Sequence, residues 1–164
     1  MTQIPIFSAE QIDYFMQVAL NEAQLAEKAG EVPIGAVIVK DNEIIARAHN
    51  HREAHQLATA HAELVAIESA NHILNSWRLE NTALFVTLEP CIMCSGAIIN
   101  ARIPAVYFGA ADSKGGGTRS LYHLLEDDRL NHRVEVHPNI RSSEGGRLLQ
   151  DFFGKIRKKR QSKK

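Results

Sequence analysis

The sequence predicts an α/β fold, in which a mixed, mostly parallel five-stranded sheet lies between two layers of helices. Short runs rich in β-branched and aromatic residues, such as residues 34–40 and 83–88, alternate with segments whose apolar residues recur at helical spacing. A turn signal, Asp41-Asn42, separates the first two strand-like runs. Strands that alternate with helices pack as a sheet covered on both faces, so a three-layer α/β/α domain is expected.

The first part of the chain predicts one helix followed by a hairpin. Residues 8–29 place apolar side chains at helical spacing, with Ser8 as a candidate N-cap. The β-branched run at residues 34–40 predicts a strand, and the Asp41-Asn42 turn leads into a second strand at about residues 43–49. These two strands are expected to be antiparallel because so short a turn joins them.

After a loop that runs to Thr59, the rest of the chain alternates between helix and strand. The predicted elements are a helix that opens at Thr59, a strand at residues 83–88, a helix that opens at Pro90 and Cys91, a strand at 106–109, a glycine-rich loop at 115–117, a short helix near 121–125, a strand near 134–136 and a helix from about Ser143. Because helices connect the later strands, those strands are expected to run parallel.

Length and composition predict one globular domain spanning residues 1–164. A chain of 164 residues can bury a substantial core without disulfides, and 45% hydrophobic with 23% charged residues is ordinary for a folded domain. No apolar run approaches the roughly 20 residues that a membrane span needs. The N-terminal residues lack a basic segment followed by an apolar one, so no secretory signal is predicted and the cytoplasm is the expected location.

A formal net charge of zero conceals a basic C-terminal tail at about residues 155–164. Seven of these ten residues are Lys or Arg and none is acidic, which leaves 12 basic and 19 acidic residues, a net charge of −7, in the first 154. Such a tail is a candidate phosphate-binding arm, because Lys and Arg that neutralise phosphates release counterions. The alternative is a solvated terminus that only aids solubility.

The two cysteines form one Cys91-Ile92-Met93-Cys94 unit, and His61-Ala62-Glu63 lies thirty residues upstream. The cysteine spacing by itself also fits a redox pair or a small buried apolar pair. Together with His61 and Glu63 it matches the His-x-Glu and Pro-Cys-x-x-Cys signature of zinc-dependent deaminases. Both units fall at predicted helix starts. We therefore expect a catalytic Zn²⁺ held by His61, Cys91 and Cys94.

Each of these residue types suits hydrolytic deamination at a metal. Two thiolates and a neutral imidazole are good zinc ligands, and three protein ligands leave the fourth tetrahedral position for water. Zinc lowers the pKa of such a water to about 7. Glu63 is predicted to be the acid–base catalyst that moves protons from water to the substrate ring and to the leaving ammonia. A closed structural site is the alternative, and it would need a fourth ligand such as His49, His51 or His55.

Beyond these motifs, the chain resembles the bacterial tRNA-specific adenosine deaminases of the cytidine and deoxycytidylate deaminase superfamily. The similar stretches are residues 30–36, 48–50, 59–63, 76–80, 86–94, 108–112 and 130–133. Thr87-Leu88-Glu89-Pro90-Cys91 and Asn131-His132-Arg133 are more specific than the zinc pattern, which the whole superfamily shares. The resemblance implies a cytidine-deaminase-like domain that converts the wobble adenosine of a tRNA anticodon to inosine, with the anticodon stem-loop as its partner.

The resemblance also implies substrate-binding roles outside the zinc motif. Asn50 is expected to hydrogen-bond the target nucleotide, and Val32 is expected to line the base pocket. Asp112 and Lys114 are expected to contact the RNA near the flipped base.

The resemblance also implies a role for two aromatic residues and an oligomeric state. Phe152 and Phe153, with the basic residues after them, are expected to touch the anticodon loop. Without the resemblance, both rings would be interpreted as core anchors of the last helix. The family further implies a homodimer whose active sites lie near the interface, with one Zn²⁺ per subunit.

Two other functions remain open on the sequence alone. A deaminase of a free nucleobase or nucleotide, such as guanine, cytosine or deoxycytidylate, would share the zinc ligands and Glu63 but has no use for a basic tail. Removal of residues 155–164 would separate the two, since an RNA enzyme should lose affinity in a salt-dependent way. A non-catalytic zinc-containing RNA-binding module is the rival of another class, against which the open coordination position and Glu63 argue.

Overall fold

Five strands form one sheet in the computed structural model, which describes residues 2–163. Met1 and Lys164, the outermost residues of the predicted domain and tail, lie outside the described residues. The strands are β1 (Gly35–Lys40), β2 (Glu43–His49), β3 (Thr82–Leu88), β4 (Ala105–Ala110) and β5 (Glu135–His137). Their order across the sheet is β2-β1-β3-β4-β5, so the strand that ends just before the candidate cysteines is central.

The strand directions confirm the predicted mixed, mostly parallel sheet. β1 pairs antiparallel with both β2 and β3, whereas β3, β4 and β5 pair parallel. Four of the five strands therefore point the same way, and β1 is reversed. The hairpin turns at Asp41 and Asn42, whose φ values of 52° and 63° fit the mirror-image turns that match the twist of paired strands.

Helices cover both faces of the sheet, as the predicted α/β/α layering requires. The helices are α1 (Ala9–Lys28), α2 (Arg52–His55), α3 (Ala62–Leu74), α4 (Ile92–Asn100) and α5 (Ser142–Ser162), with a 3-10 turn at Leu124–Glu126. α1 and α5 pack on one face, and α3 and α4 pack on the other. Within residues 2–163, no helix combines the length and the apolar composition needed to cross a bilayer.

The hydrophobic core consists of two clusters, one on each face of the sheet. Phe15 of α1 packs with Phe85 and Tyr107, whose rings stack with centroids 4.5 Å apart. On the other face, Ile98 of α4 packs with Phe108 of β4. Because successive strand residues point to opposite faces, both faces of β3 and β4 must be apolar, which explains the unbroken apolar runs of the sequence.

Two helix starts beside the candidate site differ from the predicted ones. The helix predicted to open at Thr59 begins at Ala62, and His61 is its N-cap residue with an extended backbone. The helix predicted to open at Pro90 begins at Ile92, with Cys91 as its N-cap. In both cases the ligand-bearing residue stands just outside the helix, since an N-cap residue does not adopt helical φ and ψ.

Three further differences concern short elements. The loop predicted between residues 50 and 59 contains α2, whose four residues are too few to show an apolar period. The helix predicted near 121–125 is the 3-10 turn at Leu124–Glu126, and the last strand spans Glu135–His137 rather than 134–136. Elements this short depend on hydrogen bonds to distant segments, which local patterns do not reveal.

Candidate active site

His61, Cys91 and Cys94, called here the ligand group, meet at the N-terminal ends of α3 and α4. His61 and Cys91 are N-cap residues with ψ of 150° and −179°, and Cys94 lies in the first turn of α4. The first turn of a helix carries unpaired backbone N–H groups and the positive end of the helix dipole. Both helices therefore favour negative charge at the point where the ligand group converges.

The spacing within the ligand group fits a zinc ion. His61 Nδ1 lies 3.7 Å from Cys91 Sγ and 3.6 Å from Cys94 Sγ, and the three ligand atoms all lie within 4.8 Å of one another. Tetrahedral zinc with bonds of about 2.3 Å to sulfur and about 2.0–2.1 Å to nitrogen needs nitrogen–sulfur separations of about 3.5–3.6 Å. The group is thus positioned for metal binding. Within residues 2–163, none of the alternative fourth ligands, His49, His51 and His55, joins it.

The three ligands perturb one another's protonation. A hydrogen bond from Cys94 lowers the pKa of Cys91 to about 4, and the same bond raises the pKa of Cys94. A hydrogen bond with Cys91 raises the pKa of His61. A bound divalent cation would replace the protons that these three groups share, because it binds thiolates and neutral imidazole directly.

Glu63 is a buried carboxyl group beside the ligand group. It lies in the first turn of α3 and is 4% exposed. Burial raises the pKa of its carboxyl to about 7. A carboxyl that titrates near neutrality can both accept and release a proton, which is what an acid–base catalyst must do.

A pocket of about 640 Å³ opens over Glu63 and the ligand group. This volume lies within the range of about 300–1,000 Å³ that is usual for small-molecule sites. The predicted site residues that line it are Val32, Asn50, His61, Glu63, Cys91, Asp112, Lys114 and Phe153. Of the other two, Cys94 is fully buried and Phe152 lines an adjoining groove.

Asn50 is held at the pocket by the turn that starts α2. Its Oδ1 accepts the backbone N–H of Arg52 at 3.0 Å, so its amide NH2 is the group left to donate to a ligand. Glu31, which is 1% exposed, accepts the N–H groups of Glu53 and Ala54 at 2.8 and 2.7 Å. The buried carboxylate of Glu31 therefore caps α2 and fixes the segment that follows Asn50.

Asp112 and Lys114 lie on a loop that forms another part of the pocket wall. Asp112 Oδ1 accepts the N–H groups of Lys114 and Gly115 at 3.1 and 3.0 Å, so this carboxylate shapes its own loop. The side chain of Glu89 accepts the Asp112 N–H at 3.1 Å. Lys114 is exposed, which leaves its ammonium group accessible to a ligand.

Helix α5 brings aromatic and basic side chains to the pocket. Phe153 is 43% exposed and lines the pocket together with Arg157. Phe152, Phe153, Arg157 and Arg160 line the adjoining groove. Neither ring belongs to the two core clusters. The basic tail continues α5 as far as Ser162.

Arg52, Glu31 and the side chain of Glu89 are not among the residues that the sequence predicts for the site. Arg52 lines both the pocket and the groove, but it lies in a segment without an apolar period. Glu31 and Glu89 accept hydrogen bonds from backbone groups 22 to 31 residues away. The sequence signal for the two glutamates is their place beside apolar residues and proline, since a carboxylate buried there must find donors.

Known proteins are similar to this chain in sequence. The MafB19-like deaminase family model matches residues 10–157. The tRNA-specific adenosine deaminase of Streptococcus pyogenes serotype M18 (strain MGAS8232) is 52% identical over 155 residues, which cover 93% of this chain and 98% of the relative.

Solved structures share the fold. A chain from a study of A-to-I editing by tRNA:A34 deaminases at the wobble position of transfer RNA has a TM-score of 0.80 and 42% identity, covering 83% of this chain and 99% of that one. Guanine deaminase from Bacillus subtilis has a TM-score of 0.60 and 40% identity, covering 64% of this chain and 66% of its own. The chain belongs to the MafB19-like deaminase family and to the tRNA-specific adenosine deaminases.

Proposed function

We propose that this protein hydrolyses the wobble adenosine of a tRNA anticodon to inosine, with release of ammonia. The observation that carries the proposal is the convergence of the ligand group and buried Glu63 in one pocket of nucleobase size. The 52% identity to a tRNA-specific adenosine deaminase supports adenosine in tRNA as the substrate. The basic and aromatic face of α5 beside the pocket supports RNA rather than a free base.

The proposed cofactor is one Zn²⁺ per subunit, held by His61 Nδ1 and the sulfur atoms of Cys91 and Cys94. Two thiolates and one neutral imidazole balance the charge of the ion and leave one coordination position open. When bound, zinc would lower the pKa of a water at that position to about 7 and so supply the nucleophile. The N-termini of α3 and α4 offset the negative charge that develops there.

Glu63 is proposed to move both protons of the reaction. Its carboxylate accepts a proton from the attacking water and delivers it to N1 of adenine, which makes C6 more electrophilic. The water oxygen then bonds to C6, and Glu63 passes the second water proton to the exocyclic amine. The C6–N bond breaks as ammonia leaves. One adenosine and one water are consumed, and one inosine and one ammonia are formed.

The pocket wall is proposed to hold the flipped base and its neighbours. The Asn50 amide donates to the target nucleotide, and Val32 packs against its base. An anticodon base is already unpaired, so turning it into a pocket costs less than it would in a duplex. Aromatic rings can stack on neighbouring bases of a single strand. The further proposed RNA contacts are made by Asp112, Lys114, Phe152 and Phe153.

The first test offers the purified, zinc-loaded protein an adenosine-containing anticodon stem-loop beside free adenosine, cytidine, guanine and deoxycytidylate. We expect inosine at the wobble position and ammonia release, with the free compounds unchanged. Turnover of a free compound alone would show that the protein is a small-molecule deaminase. This is the second candidate function, and the 40% identity to guanine deaminase favours testing it. Stoichiometric zinc without deamination of any substrate would instead favour a non-catalytic RNA-binding module.

Arg157 and Arg160 are expected to contribute more to tRNA affinity than Lys158 and Lys159. Both arginines line the groove beside Phe153, whereas the two lysines line neither the pocket nor the groove. Replacing both arginines with Ala should weaken stem-loop binding and reduce the slope of log Kd against log salt by about 2, since each phosphate contact contributes about one. Fluorescence anisotropy at several salt concentrations measures both quantities.

The matched control for this prediction removes the same charge from the other side of α5. The Lys158→Ala/Lys159→Ala variant should change the salt slope by less than the arginine variant does. Equal effects of the two double variants would contradict a defined contact surface and would show that the tail acts through its net charge.

We also propose a homodimer, because large apolar side chains lie exposed on segments that build the active site. Leu57, Ile92, Leu121 and Tyr122 are each 52–53% exposed. Ile92 opens the helix that carries Cys94, and the Leu121 N–H donates to the carbonyl of Gly116 at 3.1 Å. Exposed apolar surface of this kind marks interaction sites.

Charge introduced at this surface should separate the subunits. Leu121→Asp combined with Tyr122→Asp is expected to convert a dimer into a monomer in sedimentation velocity experiments, because it would bury unpaired carboxylates. Ile73→Asp is the control, since Ile73 is 58% exposed but lies in the last turn of α3. A wild-type protein that sediments as a monomer would refute the proposed dimer.

A cytoplasmic location and one deaminase domain spanning residues 1–164 complete the proposal. A zinc site with two thiolates requires reduced cysteines, which the cytoplasm maintains. The match of one family model to residues 10–157 supports a single domain.

A further inference from the structure

We propose that Glu89 is a positioning residue, whose buried carboxylate holds residues 112–120 in place as one wall of the substrate pocket. This role presupposes the proposed deamination and concerns the Glu89 side chain rather than the metal ligands that follow it. Glu89 comes directly after β3 and is 2% exposed. A carboxylate is buried only where hydrogen bonds compensate it, so its partners indicate its purpose.

Both oxygens of the Glu89 carboxylate are engaged by the 112–120 loop. Oε1 accepts the Asp112 N–H at 3.1 Å and also the Ser120 hydroxyl. Oε2 accepts the N–H groups of Thr118, Arg119 and Ser120 at 3.3, 2.8 and 2.9 Å. One side chain therefore gathers the two ends of the loop.

The middle of the loop is fitted around the same side chain. A Cβ on Gly116 would overlap the Glu89 carboxylate, and a Cβ on Gly117 would lie 2.8 Å from the backbone nitrogen of Ile92. The Gly117 N–H donates to the carbonyl of Pro90 at 2.9 Å. These glycines allow the backbone to approach Glu89 and the start of α4 closely, as no other residue type would.

The 112–120 loop has little regular structure of its own to hold it. Its residues lie outside every helix and strand, and an isolated bridge joins Gly116 to Cys91. The loop nevertheless contributes Asp112, Ser113 and Lys114 to the pocket. The place of this wall therefore depends on the acceptor that Glu89 supplies.

A carboxylate suits this task and an amide does not. Four N–H groups and one hydroxyl converge on Glu89, and an ionised carboxylate offers lone pairs on both oxygens without any hydrogen of its own. Glutamine has nearly the same volume, but its NH2 would face donors. Glu89→Gln therefore removes one of the two acceptor oxygens and loosens the loop with little change in packing.

The test compares the zinc-loaded, full-length wild-type protein with Glu89→Gln. Hydrogen–deuterium exchange should show faster uptake in peptides covering residues 111–121, because an NH2 replaces one of the two acceptor oxygens and up to three of the four amides lose their acceptor, while one zinc per chain is retained. KM for the anticodon stem-loop should rise about ten-fold with kcat within about three-fold, since the loop lines the pocket but carries neither a metal ligand nor the acid–base group. A purely structural loss of folded protein would instead lower the apparent kcat and leave KM unchanged.

Glu22→Gln is the matched control. Glu22 is another buried carboxylate, 7% exposed, but its partner is His49 at 3.0 Å. This variant should change neither KM nor the exchange of residues 111–121. Gly116→Ala provides a second variant that disturbs the same contact from the loop, because its Cβ would overlap the Glu89 carboxylate. It should show the same rise in KM, and it tests the proposal even if Glu89→Gln fails to fold.

Two results would overturn the proposal. One is unchanged exchange of residues 111–121 in folded Glu89→Gln, and the other is faster exchange with an unchanged KM. The exchange measurement needs no substrate, so it tests the anchoring of the loop even if the stem-loop is not deaminated. Failure of the proposed function and failure of this role are therefore distinguishable.

Discussion

Replacing Glu63 with Ala should reduce kcat by at least about 100- to 10,000-fold, the range that proton transfer by a positioned side chain contributes. Glu63 is 4% exposed and shares the pocket with the ligand group, so bulk water cannot easily replace it in proton transfer. It does not belong to the ligand group, so the variant should still bind one zinc per chain. Inosine formation by mass spectrometry and zinc by elemental analysis measure the two expectations.

The control for Glu63 lies on the same helix. Glu68 is exposed on α3, and Glu68→Gln removes the same charge without entering the pocket. Its turnover should match that of the wild-type protein. Normal turnover in Glu63→Ala would show that another group transfers the protons, whereas loss of zinc in that variant would show that Glu63 supports the metal site.

Removing the Cys94 thiol should abolish zinc binding and, with it, deamination. Cys94 is fully buried, and its sulfur completes a ligand group whose nitrogen–sulfur distance is 3.6 Å. Two remaining protein ligands do not form a usual zinc site, so Cys94→Ala should carry close to no zinc and show no detectable turnover. The melting temperature should also fall, because metal binding contributes to folding.

Two comparisons separate the effect of losing zinc from the effect of disturbing helix α4. Ser95→Ala alters the neighbouring, equally buried residue of α4 and should keep one zinc per chain. Wild-type protein stripped by a chelator should lose activity and regain it on addition of Zn²⁺, whereas Cys94→Ala should not recover. A Cys94→Ala protein with stoichiometric zinc and normal turnover would contradict the proposed ligand set.

The elements of the fold are largely predictable because each one carries a local signal. The Asp41-Asn42 turn indicates the hairpin, and these residues indeed adopt the positive φ that such a turn needs. The apolar run at residues 83–88 indicates a strand buried on both faces, which is β3. Layering then follows from the alternation of helix and strand, since each apolar face has to be covered.

The residues proposed for chemistry are predictable for a related reason. Metal ligation and proton transfer restrict which side chains can serve, and the two units containing His61, Glu63, Cys91 and Cys94 are short enough to recognise. Their exact placement is not local. His61 and Cys91 are N-cap residues with extended backbone rather than residues inside helices, so they stand beside first turns whose N–H groups have no partner within the helix.

Tertiary structure alone decides which distant segments meet. Local periodicity predicts β1 and β3, but the antiparallel pairing between them joins residues that are 42 to 50 positions apart in the chain, such as Lys40 with Thr82 and Ala36 with Val86. The anchoring of α2 by Glu31 and of the 112–120 loop by Glu89 likewise joins segments far apart in sequence. A glutamate that becomes buried looks the same in the sequence as one that stays solvated, so only the hydrogen-bond donors around it in the folded chain reveal its role.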